Sequence, residues 1–375
     1  MIILIEIIPV SSARERRTFV DLPWRLYKDD PNWVPPLRTD MFNTLNPKHN
    51  ALLRLGPSCF FLARKDGKVV GRIGCGVDNL LNKAKDKNLG YITLFESIQD
   101  YEVAEALFDA AADFLRRHGV EAVTGPQSPS NGDDYRGLLV EGFEGPPALL
   151  ASYNPSWYQE FFEKYGFEKQ FDRLGFWFDL DEIPERLIRG VEIAQKRYKF
   201  TVRKVDLNNL ESEILAIKHI TDKSTPEEWP DMISPSLQEV RAEVKKLIPI
   251  VVPELVYIAE AEDGEPIGMS VTLPDYNQVI KRMNGKLLPF GWFKYLYFKK
   301  KIDAVRLFAL MVVPEYHRKG VSAALYKYSM EAAKERGFVG GDASTIHEFN
   351  VRIYNDALGS GGKAYRRFRI YQYKL

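Results

Sequence analysis

Leu307-Phe-Ala-Leu-Met-Val-Val-Pro-Glu-Tyr-His-Arg-Lys-Gly-Val-Ser-Ala-Ala-Leu-Tyr326 changes character twice along its length. Leu307 to Val313 is an unbroken apolar run closed by Pro314, the pattern of a buried strand. After the polar stretch from Glu315 to Gly320, apolar residues recur at Val321, Leu325, Tyr328 and Ala332 with helical spacing, and Arg336-Gly337 supplies a helix stop. A strand therefore runs through a short glycine-containing loop into a helix. Such a junction suits an anion. The first N–H groups of a helix lack internal partners, and the helix dipole adds about half a positive charge there. Glycine allows close backbone approach, and Arg318 and Lys319 add mobile positive charge. An ordinary turn with a solvated basic pair would read the same way, so the surrounding sequence has to decide.

Outward from this stretch the chain repeats itself. Phe60 to Gly71 sets two apolar runs around Asp66-Gly67, and Val256 to Gly268 does so around Asp263-Gly264. Asp-Gly between strand-like runs predicts a tight type I′ hairpin. In both halves a glycine follows four residues after the turn glycine. Leu107 to Gly119 and Leu325 to Gly337 close two helical patterns at equal spacing, and short strand-like stretches follow at 120–124 and 338–343. An asparagine, a helical stretch and a glycine then recur at Asn154–Gly166 and Asn350–Gly359. This ordered set predicts two related α/β domains, 1–180 and 200–375, joined by a linker helix in 181–199 with Pro184 in its first turn. Each domain is expected to run strand, helices, hairpin, strand, helix, strand, helix, strand.

Composition agrees with a folded protein of that size. The chain has 375 residues, 45% hydrophobic and 27% charged, and a formal charge of +1, which leaves no overall footprint for nucleic-acid binding. Two cysteines, Cys59 and Cys75, permit neither a disulfide framework nor a four-cysteine zinc site. Five histidines without HExxH spacing give no reason to expect a metal. Met1 to Ile8 is interrupted by Glu6 and reads as a first strand, and Leu247 to Ala259 is too short and too broken by proline to span a membrane. A cytoplasmic location is expected.

With the repeat in view, the second half resembles the GCN5-related N-acetyltransferase (GNAT) superfamily. That family's signature, Q/R-x-x-G-x-G/A, follows a strand ending in Val-x-Pro and opens a helix. His317, Arg318, Lys319, Gly320, Val321 and Ser322 occupy it, with His317 in place of glutamine or arginine and Ser322 in place of glycine or alanine. Ile346-His-Glu-Phe-Asn350 with Tyr354 is similar to the family's later asparagine-and-tyrosine segment, and Ala364 to Tyr371 fits its closing strand. The resemblance covers most of 200–375 and, more weakly, 1–180. It implies an α/β fold of two tandem GNAT-like domains, each a mixed, mostly antiparallel twisted sheet flanked by helices. It also implies acetyl-coenzyme A or another acyl-coenzyme A as co-substrate, held by Met311, Val312, Val313, Arg318, Lys319, Gly320, Val321, Ser322 and Asn350. The implied activity is N-acyl, chiefly acetyl, transfer by direct attack of an amine in a ternary complex.

In that reading Tyr354 protonates the departing thiolate, and Glu348 and His347 are candidates for the base. Each has a plainer alternative: Tyr354 packing on the sheet, Asn350 capping a helix, Glu348 and His347 serving as surface or capping residues. Aligning the helices puts Gln99, Asp100, Tyr101, Glu102, Val103 and Ala104 opposite the signature. Two carboxylates replace the cationic, open loop, so the first domain is expected to have lost the co-substrate. An aromatic insertion, Pro274 to Lys301, reads as packing against the first domain or, functionally, as a lid or a contact for an acyl chain or lipid head group. Gly125 to Asp134 is a polar loop in which Asp133-Asp134 could meet an amine or water. The acceptor is expected to be a small-molecule or peptide amine, with no nucleic acid and no membrane span, and with a homodimer left open. Two other readings remain: a non-catalytic acyl-coenzyme A sensor, and a tandem transferase using aminoacyl-tRNA, against which the Gly320 loop argues.

Overall fold

The computed structural model describes residues 5–50, 52–127, 136–227, 229–287 and 290–375. Residues 1–4 of the expected first strand and Asp133-Asp134 of the polar loop lie outside them. In chain order the elements up to the middle are β1 (Ile5–Pro9), α1 (Ala13–Leu26), α2 (Arg38–Thr44), β2 (Ser58–Lys65), β3 (Lys68–Val77), α3 (Asn79–Lys85), β4 (Leu89–Ser97), α4 (Tyr101–Arg117), β5 (Ala122–Gly125), β6 (Leu138–Glu141), α5 (Trp157–Tyr165) and β7 (Glu168–Asp179). They continue with α6 (Glu185–Tyr198), β8 (Thr201–Lys204), α7 (Leu210–Ser224), α8 (Leu237–Leu247), β9 (Val256–Glu260), β10 (Pro266–Pro274), α9 (Asn277–Met283), α10 (Gly291–Phe298), β11 (Ala304–Val312), α11 (Val321–Glu335), β12 (Gly340–His347), α12 (Val351–Gly359) and β13 (Lys363–Lys374).

Two compact units result, and neither is one continuous stretch. The first comprises Met1–Arg173, Asn277–Phe298 and Arg366–Leu375; the second comprises Leu174–Tyr276 and Lys299–Tyr365. In the first, strands run in the order β1-β2-β3-β4-β5-β13, with β6 also on β13. Neighbours are antiparallel except β4 and β5. In the second, starting from the Leu174–Asp179 part of β7, the order is β7-β12-β11-β10-β9-β8, with β11 and β12 parallel and β8 to β11 antiparallel. Each unit is thus a mixed, mostly antiparallel sheet flanked by helices.

The repeat is present in three dimensions. A Cβ on Gly71 would lie 2.8 Å from Leu107 and 3.0 Å from Val103, because α4 crosses β3 there. A Cβ on Gly268 would lie 3.2 Å from Val321 and 3.3 Å from Leu325, where α11 crosses β10. Val103 matches Val321 and Leu107 matches Leu325, so the two helices rest on equivalent strands through the same pair of side chains. All four are fully buried. The two hairpins differ, however. Asp66 and Gly67 are both left-handed, as a type I′ turn requires. Gly264 is left-handed and Asp263 is not. The Gly264 N–H bonds the Ala261 carbonyl at 3.0 Å, and the Ala261 N–H bonds the Glu265 carbonyl at 2.9 Å. The second hairpin is therefore a longer turn, with the strand resuming at Pro266.

The insertion splits between the units. Helix α9 buries Val279 and Met283, and Asn277 Nδ2 donates to the carbonyls of Pro147 and Ala148 at 3.0 and 2.9 Å. Trp24 Nε1 donates to Asn284 Oδ1 at 3.0 Å. This part packs within the first unit. Cys59 and Cys75 face each other directly across β2 and β3 as free thiols, both raised in pKa by burial.

Candidate active site

The site begins where two parallel strands part. β11 and β12 pair at Ala304–Gly340, Val305–Gly341 and Arg306–Asp342, and the ladder stops there although the strands run on to Val312 and His347. Ala304, Val305 and Arg306 are buried, Leu307 through Met311 are only half-buried, and Val312 is buried again. An interior strand shows that pattern when its neighbour leans away and opens a cleft. At the fork Arg306 and Asp342 are both about 2% exposed or less and stand 3.8 Å apart. Asp342 accepts hydrogen bonds from Ser344 Oγ at 2.6 Å and Tyr365 Oη at 2.5 Å, and Arg306 Nη2 donates to the Ser344 carbonyl at 3.1 Å. Multiple partners are what a buried ion pair needs to offset desolvation. They fix the point of parting.

From the cleft's edge the chain enters the signature loop. Arg318 and Gly320 both have positive φ, 62° and 81°. At Gly320 a Cβ would also lie 2.6 Å from the Ala194 Cβ on α6, so handedness and space both require glycine. Gly320 is the N-cap of α11, and no side chain caps that helix. The early N–H groups of a 15-residue helix thus meet the loop with its dipole behind them. Lys319 rests its ammonium 4.4 Å from the Tyr316 ring centre, and Arg318 is exposed.

His317 has a structural task. A carbonyl only accepts and a guanidinium only donates, so its tautomer follows from its partners. Nε2–H donates to the Val312 carbonyl at 2.9 Å, and Nδ1 accepts from Arg352 on α12. Ser322 Oγ donates to Asp356 Oδ2 at 2.5 Å. Through these two contacts α12 is held against the loop, which brings the asparagine-and-tyrosine segment to the signature. Met311 and Val312 pair with Met269 and Gly268 of β10, and the Val313 N–H donates to the Ile267 carbonyl at 2.9 Å.

The remaining candidates cluster at the end of β12. Asn350 caps α12, accepting from the Ile353 N–H at 3.2 Å. Tyr354, one turn later, is half-buried with its ring edge-on to Phe176, centroids 5.4 Å apart. His347 is 1% exposed and stacked on Trp229 at 5.2 Å. Its Nδ1 accepts from the Phe349 N–H at 3.3 Å, leaving the ring hydrogen on Nε2 in the neutral form. Glu348 is half-buried beside it, and Phe349 is exposed. Sequence reasoning missed Ala194, Arg352, Asp356, Trp229 and the Arg306–Asp342 fork. Only the last left a signal, a charge inside each of two apolar strands.

The comparisons with known proteins converge on this architecture. The family model described as "Acetyltransferase (GNAT) family" matches residues 215–354. The chain is 30% identical over 386 residues to the bacterial ceramide synthase of Caulobacter vibrioides (strain NA1000 / CB15N), covering 99% of this chain and 98% of that one. It is 29% identical over 375 residues to protein YghO of Escherichia coli (strain K12), covering 97% and 94%. A solved tandem GNAT protein from the clavulanic acid biosynthesis pathway shares the fold with a TM-score of 0.57 at 12% identity, covering 99% of this chain and 98% of that one. An opened parallel pair leading to a glycine-capped helix, twice-built scaffold and full-length relatives together place the chain in the GNAT family of acyltransferases, as a tandem-domain member.

Proposed function

We propose that the chain is an acyl-coenzyme A-dependent N-acyltransferase that joins a long-chain acyl group to a long-chain amine, making an amide of the ceramide type. The observation that carries the acyl-coenzyme A reading is the cleft between β11 and β12 ending at the uncapped start of α11. The fit is chemical as well as spatial. Diphosphate needs N–H donors and cations, and Gly320, Val321, Ser322, Arg318 and Lys319 offer both. The half-buried residues Leu307 to Met311 suit a slender, mostly apolar arm entering from the loop. Met311 to Val313 and Asn350 would border it, although their principal hydrogen bonds are already committed within the protein.

When bound, the thioester supplies an activated acyl carbon and a thiol leaving group. The protein's share is orientation and proton management. Tyr354 holds a phenolic proton one turn beyond Asn350, the position from which it would be given to the departing sulfur. The incoming ammonium must lose a proton before it can attack. His347 has its Nδ1 committed to the Phe349 amide, which favours the neighbouring Glu348, directly or through water, as the acceptor.

The substrate class rests on the Caulobacter relative, which matches this chain across nearly its whole length and is named for ceramide synthesis. A ceramide is the amide of a fatty acid and a sphingoid base. The test is incubation of the purified protein with palmitoyl- or acetyl-coenzyme A and sphinganine, following free thiol and product mass. Thiol release with an N-palmitoyl product supports the whole proposal. Turnover of acetyl-coenzyme A alone on other amines would sink the ceramide class and keep acyl transfer. Tight coenzyme A binding without thiol release across an amine panel would replace the enzyme by a sensor.

A further inference from the structure

Helix α10 presents its apolar side outward. Phe290 just before it is 70% exposed, and within it Tyr297 is 60%, Phe293 55%, Leu296 45% and Trp292 41% exposed. At 100° per residue, these five fall on one face about 160° wide. The opposite side is the docked one. Gly291 is buried, and a Cβ there would strike the Lys286 carbonyl. Phe298 is half-buried beneath the Arg282 guanidinium, 5.0 Å from its ring centre. Lys294 Nζ donates to the Arg282 carbonyl at 3.1 Å. α10 thereby rests on α9, which is itself fastened through Asn277 and Asn284. Part of the aromatic insertion packs, as the sequence suggested, but its most apolar helix faces outward on a fixed base.

Charge identifies what would cover this face. From Tyr276 to Ile302 the chain contains Lys281, Arg282, Lys286, Lys294, Lys299, Lys300 and Lys301 and not one Asp or Glu. The whole protein carries a formal charge of +1, so this stretch is a local concentration that the rest of the chain offsets. Within the same unit as the aromatic residues, Lys286 and Lys294 are exposed. A protein groove would complement the apolar face without requiring one sign of charge throughout its border. Aromatic rings with an apolar body and polar tip, bordered by lysines, match the head-group boundary of an anionic bilayer. No helix among the described residues is long and apolar enough to cross a membrane, so such contact would be made from one side.

We infer that the α10 face is a peripheral docking surface for anionic lipid bilayers. Phe290, Trp292, Phe293, Leu296 and Tyr297 enter the interfacial layer, and the bordering lysines meet the head groups. The inference stands on this surface alone and does not depend on the acyl-transfer chemistry.

The test is co-sedimentation of the full chain with vesicles of one part phosphatidylglycerol to two parts phosphatidylcholine, and with phosphatidylcholine alone. Binding to the anionic vesicles, weakened by salt, is expected. Phe293→Ser with Tyr297→Ser should lower the partition coefficient at least about tenfold, and Lys286→Glu with Lys294→Glu should lower it on anionic vesicles only. These positions are exposed, and an unchanged melting temperature verifies that each variant is folded. Lipids brominated along their chains should quench tryptophan fluorescence in the wild type, and Trp292→Phe should remove most of that quenching. Failure to bind anionic vesicles, or equal binding by the serine variant, overturns the proposal. So does dimerisation through α10 without vesicle binding, which would make a second copy of the chain its occupant.

Discussion

Two helices, α4 and α11, lie on equivalent strands with matching valine and leucine contacts, yet their N-termini are built differently. α11 starts at Val321 behind a left-handed glycine and has no side-chain cap. α4 starts at Tyr101, two residues earlier by the Val103–Val321 match, so helix occupies what is loop in the second unit. Asp100 caps it, accepting from the Glu102 N–H at 3.1 Å, and Lys65 Nζ sits 2.5 Å from the Asp100 carboxylate. The strands repeat the contrast. β4 also pairs with β5 over only three residues, but Ile92, Thr93, Phe95 and Ser97 beyond the ladder are buried. Gln127 N–H donates to the Ile92 carbonyl at 3.1 Å, and Tyr158 Oη accepts from the Ser97 N–H at 2.7 Å. The first unit thus satisfies internally groups that lie beyond its parallel ladder. The two copies of one scaffold therefore differ in a cap, a loop handedness and a few filling side chains.

That contrast can be broken most forcefully at Gly320. Gly320→Glu adds a side chain at a left-handed position and a negative charge before the helix. Coenzyme A affinity should fall by about a thousandfold, from two hydrogen bonds to a charged group at about 1.5–3 kcal/mol each. Calorimetry on a variant with an unaltered circular dichroism spectrum reads this; unchanged affinity would defeat the assignment of the loop. Tyr354→Phe should lower turnover by roughly a hundredfold while leaving coenzyme A affinity in place. Equal turnover would remove Tyr354 from the chemistry. Native mass spectrometry with increasing coenzyme A should saturate at one equivalent per chain, and a second equivalent lost on mutation around Glu102 would reverse the reading of the first unit.

Smaller effects sharpen the other side. Asp100→Ala should cost about 1 kcal/mol of stability by removing the α4 cap, with coenzyme A binding unaffected. A chemical denaturation curve and one calorimetric titration check both halves. Glu96 in the first unit offers a pH test. Burial raises its pKa, against Arg72 and hydrogen bonds from Tyr27 and Tyr158. The folded state then retains a proton that the unfolded chain releases, so its contribution to stability falls as pH rises from the ordinary glutamate range towards the raised value. The melting temperature of Glu96→Gln should gain on the wild type across that window, and a constant difference would count against the raised value.

Much of this was legible in the residues because it is local. The Val-x-Pro strand end, Gly320, and the matched Leu107–Gly119 and Leu325–Gly337 spacings each constrain the backbone within a few positions. The tandem scaffold followed from their order. Asp263-Gly264 misled because a turn dipeptide marks a reversal without fixing the loop length, and here the strands are separated by residues 261–265. Ala194 was invisible for a different reason. Nothing in the Pro184–Ala194 stretch announces that one of its methyl groups will close over Gly320. Arg352 and Asp356 are likewise ordinary polar residues on a helix until α12 lies against the loop. The outward face of α10 was ambiguous from composition, since an aromatic stripe reads alike whether buried or displayed. Its exposure is visible only in the fold.

The tail of the chain carries a consequence for how the molecule is made. Tyr371 to Lys374 pair with Gly125 to Ala122, so the first unit receives the strand that covers β5 from the far end of the sequence. During translation at about 5–20 residues per second, Arg173 leaves the ribosome roughly ten to forty seconds before Arg366 does. Over that interval β5 has one open side, a hydrogen-bonding edge of the kind that invites pairing with other chains. Closure of the first half is thus timed by synthesis of the second. A nascent chain stalled between the two would expose an aggregation-prone edge that the finished protein does not have.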